Sequence, residues 1–219
     1  MERHLPLLKE TRLFSGVEET DLRAMLSCLD AKERSFVKGQ YIVHQGEQLS
    51  EIMILAEGSA QIQRDDYWGN RSIIALVGPG DMFGESYAAP GSAPMANDVI
   101  ALSPCTVLYF NVQRILTVCS TACRFHSMVV QNLFYAISDA NRRLVQKLDH
   151  MTKRTTREKL LSYLSQEAAR QKSSSFTIPF NRQQLADYLS VDRSAMSSEL
   201  GKMRTEGLIT YEKSRFTLL

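Results

Sequence analysis

The chain has 219 residues, of which 44% are hydrophobic and 23% are charged, the proportions of an ordinary globular protein. At roughly 100–200 residues per domain, this length favours two domains, each able to bury a core. No apolar run approaches the roughly 20 residues that cross a bilayer, and the first residues lack the apolar core of a signal peptide. Four scattered cysteines in a chain of this length favour a reducing compartment. We therefore expect a cytoplasmic protein without a membrane partner.

Charge is divided unevenly along the chain. From Met151 onward there are 12 Lys and Arg against 7 Asp and Glu, a net charge of +5. The first 150 residues hold the remaining 14 and 17, a net charge of −3. A basic C-terminal domain on a slightly acidic body indicates a nucleic-acid-binding end, although a modest fluctuation would give the same totals.

The first half of the chain predicts two short helices followed by many strands. Residues 5–30 carry apolar side chains at spacings of three and four, which is the helical pattern. Over residues 36–110, short apolar runs alternate with turn signals such as Gly78-Pro79-Gly80-Asp81. Strands of this length with turns this frequent predict an antiparallel barrel or sandwich. Trp68-Gly69-Asn70 is predicted to form the tip of a hairpin.

Residues 121–151 contain no proline or glycine and predict one long helix. Apolar residues recur at intervals of seven over about three heptads, which is typical of a two-stranded coiled coil. The predicted dimer contacts are Val130, Leu133, Ile137, Ala140, Leu144 and Met151. Polar Asn141 and Lys147 interrupt this stripe. The alternative is a helix that packs on its own domain.

The last third of the chain predicts a helix-turn-helix. After a polar joint, residues 158–170 predict a helix and residues 176–179 a short strand. In residues 181–207, Ser190-Val191-Asp192 forms a tight connection, and the Asp192 carboxylate can cap the helix that follows it. The inward faces of the two helices hold Leu185, Ala186, Leu189, Met196, Leu200 and Met203. In this motif the N-terminal residues of the second helix enter the major groove.

The predicted DNA contacts form two groups. Arg193, Ser194, Ser197 and Ser198 face outward at the start of the second helix. Arg193 can donate two hydrogen bonds to a guanine edge, and the serines can reach bases or phosphates. The basic residues predicted to contact phosphates, which adds affinity without sequence information, are Lys202, Arg204, Lys213 and Arg215. The last two lie in a predicted β-hairpin over residues 207–219, a wing. Solvated surface is the alternative for each basic side chain.

Together these segments resemble the Crp/Fnr superfamily of bacterial transcription regulators, over nearly the whole chain. The sensor motifs that carry the resemblance are residues 36–47, 54–62 and 78–85, which look like the family's glycine-bounded β-roll. The long helix follows, and then a winged helix-turn-helix ending in Arg204-Thr-Glu-Gly-Leu-Ile. The resemblance implies an α+β fold with a cyclic-nucleotide-binding-like β-roll (jelly roll) over 1–120, a dimerisation helix over 121–151 and a winged helix-turn-helix over 152–219.

The same resemblance implies how the protein works. It implies a homodimer on a palindromic operator, with half-sites about one helical turn apart. A small-molecule or redox event in the roll would reorient the DNA-binding domains through the long helix. RNA polymerase is an expected partner if the protein is an activator. The sequence does not name the cofactor, the operator or the target genes.

One departure from the family concerns cyclic AMP. The cyclic-AMP receptors of this family follow Phe-Gly-Glu with an Arg-Ser pair that holds the cyclic phosphate. Phe83-Gly84-Glu85 is present here, but Met95 and Ala96 occupy the Arg-Ser positions. Residues 72–113 contain no Lys or Arg at all. A partly buried phosphate without a cation would carry a desolvation penalty of several kcal/mol. We therefore expect that cyclic AMP does not bind in the usual way.

The predicted effector region comprises Met82, Phe83, Gly84, Glu85, Tyr87, Met95 and Ala96. An apolar pocket without cations could take a neutral organic effector. Glu85 could anchor a hydroxyl group of that effector, or it could cap a loop.

Thiols and histidines offer other sensor chemistry. Cys119 and Cys123, spaced C-x3-C, could form a redox disulfide or contribute to an iron–sulfur cluster. Buried, inert cysteine is the alternative for both. Cys28 is expected in the core, and Cys105 lies beside a predicted strand. The candidate haem ligands are His4, His44, His126 and His150, with Met82 and Met95 near the pocket. His44 is expected on the surface.

Two other classes of function compete with a DNA-binding regulator. The sequence lacks a P-loop, G-x-S-x-G and H-E-x-x-H, so we predict no catalytic residue, no metal site and no enzyme. The second alternative is a cyclic-nucleotide-binding-like module that regulates a partner protein. The missing phosphate anchor and the helix-turn-helix both favour the DNA-binding regulator over this module.

Overall fold

The computed structural model describes residues 1–69, 71–117 and 124–219. The chain divides into two compact units: Met1–Arg64 with Ile74–Asn141, and Asp65–Ile73 with Arg142–Leu219. This division falls within the longest helix. It also places a segment that connects two strands of the first unit in the second unit. The three-part boundaries expected from the sequence stay a prediction.

The first unit is a β-roll preceded by helices. After a short 3-10 turn come α1 (Leu5–Glu10) and α2 (Glu19–Cys28). The strands are β1 (Lys32–Phe36), β2 (Tyr41–Val43), β3 (Glu51–Glu57), β4 (Ala60–Asp65), β5 (Arg71–Val77), β6 (Met82–Phe83), β7 (Asp98–Ala101) and β8 (Cys105–Asn111). The short helix α3 (Val112–Leu116) follows β8. The strands pair into two four-stranded sheets, ordered β1-β8-β3-β6 and β2-β7-β4-β5.

Strand β8 lies inside the first sheet and is buried on both faces. It pairs antiparallel with β1 and with β3. Because side chains alternate along a strand, Cys105, Val107 and Tyr109 point into the interior of the roll. Leu108 and Phe110 point to the opposite face and pack with residues of α1 and α2. This burial on both faces explains why β8 is a continuous apolar run in the sequence.

The turn between β3 and β4 requires a glycine. Gly58 has φ +84°, a conformation that L side chains rarely adopt. A Cβ atom there would overlap the carbonyl oxygen of Pro104 and would lie 2.7 Å from the Cβ of Cys105. The glycine of the Glu57-Gly58 turn signal is therefore fixed both by backbone conformation and by the close approach of the β7–β8 connection.

The longest helix is α4 (Arg124–Thr152), whose 29 residues extend for about 44 Å. Its N-terminal half packs into the first unit, where Val129, Leu133 and Ala136 are buried. The Asn132 side-chain amide donates to the carbonyl oxygens of Leu13 (3.1 Å) and Ser15 (2.8 Å), which fixes this half of the helix to the segment after α1. None of the helices in the described part of the chain is long and apolar enough to span a membrane.

The second unit is a winged helix-turn-helix. Its elements are α5 (Thr156–Gln171), β9 (Ser175–Thr177), α6 (Arg182–Leu189), α7 (Arg193–Thr205), β10 (Ile209–Glu212) and β11 (Arg215–Leu218). The three strands pair antiparallel in the order β10-β11-β9. A reciprocal capping box between Thr155 and Glu158 starts α5. The α+β fold expected from the sequence, a β-roll, a long helix and a winged helix-turn-helix, is confirmed.

Lys147 contacts both the segment Asp65–Ile73 and helix α6 within the second unit. Its ammonium donates a hydrogen bond to the carbonyl oxygen of Ile73 and lies 4.5 Å from the ring centroid of Tyr188 on α6. Burial lowers the pKa of Lys147 to about 8. In the sequence pattern, Lys147 is a polar residue that interrupts the apolar stripe of α4. In the structure it is a buried cation that joins three segments.

Candidate functional site

Local signals build the first helix of the motif. The side chains of Asn181 and Gln184 bond reciprocally to each other's backbone N–H groups and start α6. The helix buries Leu185, Ala186 and Leu189. It ends at Ser190, which has φ +51°, and the next residue, Val191, returns its N–H to the Ala186 carbonyl oxygen at 3.0 Å. This is the tight connection expected from the sequence.

Asp192 caps the second helix, as predicted. Its carboxylate accepts from the backbone N–H of Ala195 at 2.8 Å and from the hydroxyl of Ser194 at 2.5 Å. The Ser194 hydroxyl and the Ala195 amide together lower the pKa of Asp192. Behind this cap, α7 buries Met196, Leu200 and Met203. The start of α7 is therefore fixed both by its cap and by its core contacts.

The outer face of α7 presents four exposed polar side chains at its N-terminal end: Arg193, Ser194, Ser197 and Ser198. The Ser197 hydroxyl donates to the Arg193 carbonyl oxygen at 2.9 Å, and the Ser194 hydroxyl donates to Asp192. Both hydroxyl oxygens keep free lone pairs that can accept from a base or from water. Within the described residues, the Arg193 guanidinium has no hydrogen bond or ion pair. Arg193 is therefore the strongest available donor on this face.

The wing holds its two basic residues in the expected place. Glu212 pairs with Arg215 in the β10–β11 ladder, so that Lys213 and Ser214 form the tip. The backbone of Ser214 accepts from the Ile178 N–H at 2.9 Å, and its hydroxyl donates to the Phe180 carbonyl oxygen at 3.0 Å. Lys213 and Arg215 are exposed on this anchored hairpin.

Two other basic residues have neighbours within the unit. The exposed side chain of Lys202 lies 3.5 Å from that of Glu199, which is half-buried. The Arg204 guanidinium lies 5.2 Å from the ring centroid of Tyr211 on the wing. Arg182, which the sequence analysis does not single out, lies against the same ring at 4.7 Å. No sequence signal reveals Arg182, because its partner is 29 positions away along the chain.

The predicted dimer stripe on α4 is only partly available to a second chain. Leu133 is 6% exposed and belongs to the core of its own unit, and Val130 packs against that core. Both side chains therefore pack within their own unit, and their role as dimer contacts stays a prediction. Farther along, the large apolar side chains are exposed; they are Phe134, Ile137, Leu144, Val145, Leu148 and Met151. Ala140 is half-buried.

The predicted effector region is packed rather than open. Phe83 and Met95 are 2% and 3% exposed and belong to the interior of the roll. Met95 is held there by two backbone hydrogen bonds, to Gly46 and Glu47. A Cβ at Gly84 would lie 2.5 Å from the Met53 side chain. Met82, Glu85, Tyr87 and Ala96 are half-buried.

Phe83, Gly84 and Met95 are therefore buried rather than open to solvent, and their role in an effector pocket stays a prediction. In the described structure they fill the roll themselves, with an apolar thioether at the position where the family's cyclic-AMP receptors carry arginine. Two surface depressions of about 340 and 140 Å³ lie beside β1 and β8, and none of the seven predicted effector residues lines them.

The described cysteine and histidine side chains differ in their exposure and in their contacts within the protein. Cys28 is exposed, contrary to the expectation that it lies in the core, because α2 turns its apolar face away from that position. Burial raises the pKa of Cys105 and makes its thiol less reactive. Cys119 and Cys123 lie outside the described residues. Groups of three side chains that could bind a metal are absent from the described residues.

The four histidines contact different parts of the protein. The imidazole of His126 contacts the Arg114 carbonyl oxygen at 2.8 Å, and that of His150 contacts the Ser162 hydroxyl at 2.8 Å. His4 lies 3.5 Å from Glu33. His44 is exposed, as expected, and stacks on Tyr41.

Comparisons with known families agree with this architecture. Residues 33–122 match the cyclic nucleotide-binding domain, and residues 158–219 match the Crp-like helix-turn-helix domain. With these two domains, the chain is similar to the proteins of the Crp/Fnr family. It has the architecture of a Crp-like transcription regulator, with an effector-binding type of domain before a DNA-binding type of domain.

Relatives fall into two groups. The chain is 23% identical over 206 residues to the transcriptional activator protein FnrL of Cereibacter sphaeroides, covering 85% of this chain and 75% of the relative. It is 34% identical over 105 residues to the human voltage-gated inwardly rectifying potassium channel KCNH6. That match covers 47% of this chain and spans only a tenth of the channel. The fold resembles FixK2 from Bradyrhizobium japonicum, with a TM-score of 0.65 and 18% identity, covering 86% of this chain and 92% of that one.

Proposed function

We propose that the protein is a sequence-specific DNA-binding regulator of transcription, acting in the cytoplasm under the control of its β-roll. The observation that carries this proposal is the outer face of α7. There the Asp192 cap and the buried residues behind it hold Arg193, Ser194, Ser197 and Ser198 at the exposed N-terminal end of the helix. This is the part of a recognition helix that contacts bases in the major groove.

The residues take different roles in this proposal. Arg193, with its guanidinium unpaired in the described structure, donates two hydrogen bonds to the O6 and N7 atoms of a guanine. The serine hydroxyl oxygens accept from base amino groups or bridge through water. Lys202, Arg204, Lys213 and Arg215 contact phosphates. Arg204 also holds the wing against α7 through Tyr211, so that part of its charge is used within the protein.

A homodimer on a palindromic operator completes the proposal. On an ideal helix of about 100° per residue, Ile137, Leu144, Leu148 and Met151 fall within an arc of about 60°. These side chains are 37–60% exposed, so the two-stranded seam begins near Ile137 rather than at Val130. A two-fold dimer places its two recognition helices one helical turn of DNA apart, about 34 Å.

The candidate effectors differ in their chemistry. The apolar residues packed around Met95 favour a neutral organic effector over a cyclic nucleotide held in the usual way. A thiol or iron–sulfur signal would depend on Cys119 and Cys123, and a haem signal would depend on one of the histidines. RNA polymerase is the partner if the protein activates transcription. The similarity to potassium channels supports the alternative of a roll that regulates a partner protein, but it does not account for residues 158–219.

The experiment is selection from a pool of random DNA duplexes, followed by binding measurements on the enriched sequence. The parent chain should enrich a palindrome. Arg193→Ala should weaken operator binding by about 1–3 kcal/mol while binding to an unrelated duplex changes little. Arg143→Ala is the matched control, since it removes an exposed arginine from α4. A parent chain that enriches no sequence, or equal losses in both arginine variants, would contradict the proposal.

A further inference from the structure

An arginine of α5 pairs with two carboxylates of α7. The Arg157 guanidinium donates to Glu206 through both terminal nitrogens, with Nη1 3.1 Å from Oε1. The same Nη1 lies 3.5 Å from Oε1 of Glu199. The side chains of Arg157 and Glu199 are 35% and 16% exposed, so that the Glu199 pairing is partly shielded from water.

Neither charge of the Arg157–Glu206 pair is stabilised by the dipole of its own helix. Arg157 lies in the first turn of α5, where the helix dipole disfavours a cation. Glu206 is the C-cap of α7, where the dipole disfavours a carboxylate. The start of α5 already has its own cap in Thr155 and Glu158. These two charges are therefore explained by their contact with each other and not by helix formation.

The contact fixes one particular side of α7. Glu199 and Glu206 are seven residues apart, so they share a helix face and lie about 10 Å apart along the axis. Ser194 and Ser197 lie about 140° and 160° around the helix from Glu199. Arg157 thus holds the face of α7 that is opposite to the proposed DNA-reading face, at two points two turns apart.

A second cation of α5 holds the preceding helix. The Lys159 ammonium donates to the carbonyl oxygens of Leu189 at 3.2 Å and Ser190 at 3.4 Å. These are the last carbonyl groups of α6, where the helix dipole favours a cation. The start of α5 therefore contacts both helices of the motif, on either side of the turn that joins them.

We propose that Arg157 is a positioning residue for the recognition helix, which sets the sequence specificity of DNA binding without touching DNA. This inference rests on the proposed function. By fixing the rotation of α7 about its own axis, the pair holds Arg193 in the orientation that reaches a base edge. Loss of the pair lets α7 rotate and tilt. Contacts to phosphates tolerate such a change, whereas the narrow geometry of a two-bond contact to a base does not.

The test compares operator and unrelated duplexes by fluorescence anisotropy over a series of salt concentrations. Arg157→Gln should weaken operator binding about fivefold, leave binding to the unrelated duplex within twofold, and leave the salt dependence unchanged. Glu206→Gln should give a smaller loss in the same direction, because Arg157 keeps its contact with Glu199. The double variant should lose no more than Arg157→Gln alone, because the Glu206 contact is already lost in that variant. Arg154→Gln, which removes an exposed arginine three residues earlier, is the control and should leave the preference for the operator intact.

Other outcomes would overturn the inference. Equal losses on both duplexes with a shallower salt dependence would make Arg157 a phosphate contact. Additive losses in the double variant, or no loss at all, would make the pair irrelevant to specificity. Hydrogen–deuterium exchange of α7 without DNA separates this inference from the proposed function. If the parent chain selects no operator, faster exchange in Arg157→Gln still supports the positioning contact, and unchanged exchange overturns it.

Discussion

The wing tip offers a perturbation that should move stability and DNA binding in opposite directions. Lys213 has φ +50°, in the left-handed region. A residue with a Cβ pays about 1–2 kcal/mol there, whereas glycine pays little. Glycine also increases the conformational entropy of the unfolded chain, which lowers stability by about 0.4–1 kcal/mol. These two effects partly cancel, so Lys213→Gly should stabilise the second unit by about 0.5–1 kcal/mol net.

The same substitution removes one phosphate contact. Each such contact contributes about 0.9 to the slope of log K against log salt concentration, so Lys213→Gly should make that slope shallower by about this amount on every duplex. Lys213→Gln separates the two effects, because it removes the charge and keeps the backbone conformation. Its DNA binding should match that of the glycine variant, and its stability should match that of the parent chain.

Lys172 provides a matched control within the same unit. It is also a lysine with φ +50°, at the C-cap of α5, and it is exposed. Lys172→Gly should give a similar gain in urea denaturation without any change in DNA binding. A parent-like salt slope for both Lys213 variants would refute the phosphate contact. A gain in stability at Lys172 but not at Lys213 would refute the argument from backbone strain at the wing tip.

Three further outcomes follow from the fold and its charges. Isothermal titration with cyclic AMP should give no saturable heat, because the buried Met95 supplies no cation for the phosphate; micromolar binding that depends on the phosphate would contradict this. Leu144→Asp on the exposed stripe of α4 should shift sedimentation toward monomer, whereas Gln131→Asp on another side of the helix should not; a dimer in both would place the seam elsewhere. The terminal amine of Met1 and the Arg3 guanidinium lower the pKa of Glu33 to about 2. Between about pH 2 and 4.5 the native state then binds fewer protons than the unfolded chain. The ion pairs of Glu33 therefore stabilise the fold by about 1 kcal/mol, after screening, at any pH above that range. This contribution is lost as the pH falls toward 2. Glu33→Gln should therefore be less stable than the parent at pH 7 and equal to it near pH 2 in urea denaturation, and a constant difference across pH would contradict this assignment.

The sequence alone determined the features that depend only on residues close together along the chain. The spacing of Asp192 and Ala195 is enough for a helix cap, and Ser190-Val191 is enough for the turn before it. The heptad stripe determined that α4 is long and amphipathic. The glycines at the ends of the apolar runs marked the strands of the roll. Each of these signals acts over a few residues, so it can be interpreted without knowing what packs against it.

Only the tertiary structure decided what covers each surface. The periodicity of α4 is the same at Leu133 and Leu144, yet the first is buried by residues near α1 and α2 and the second is exposed. Met95 looks like a pocket residue in the sequence and fills the core of the roll. Arg157 carries no sequence signal, because its partner Glu206 is 49 positions away. Such contacts join residues far apart in the chain, and their energies depend on the distance and burial that folding creates.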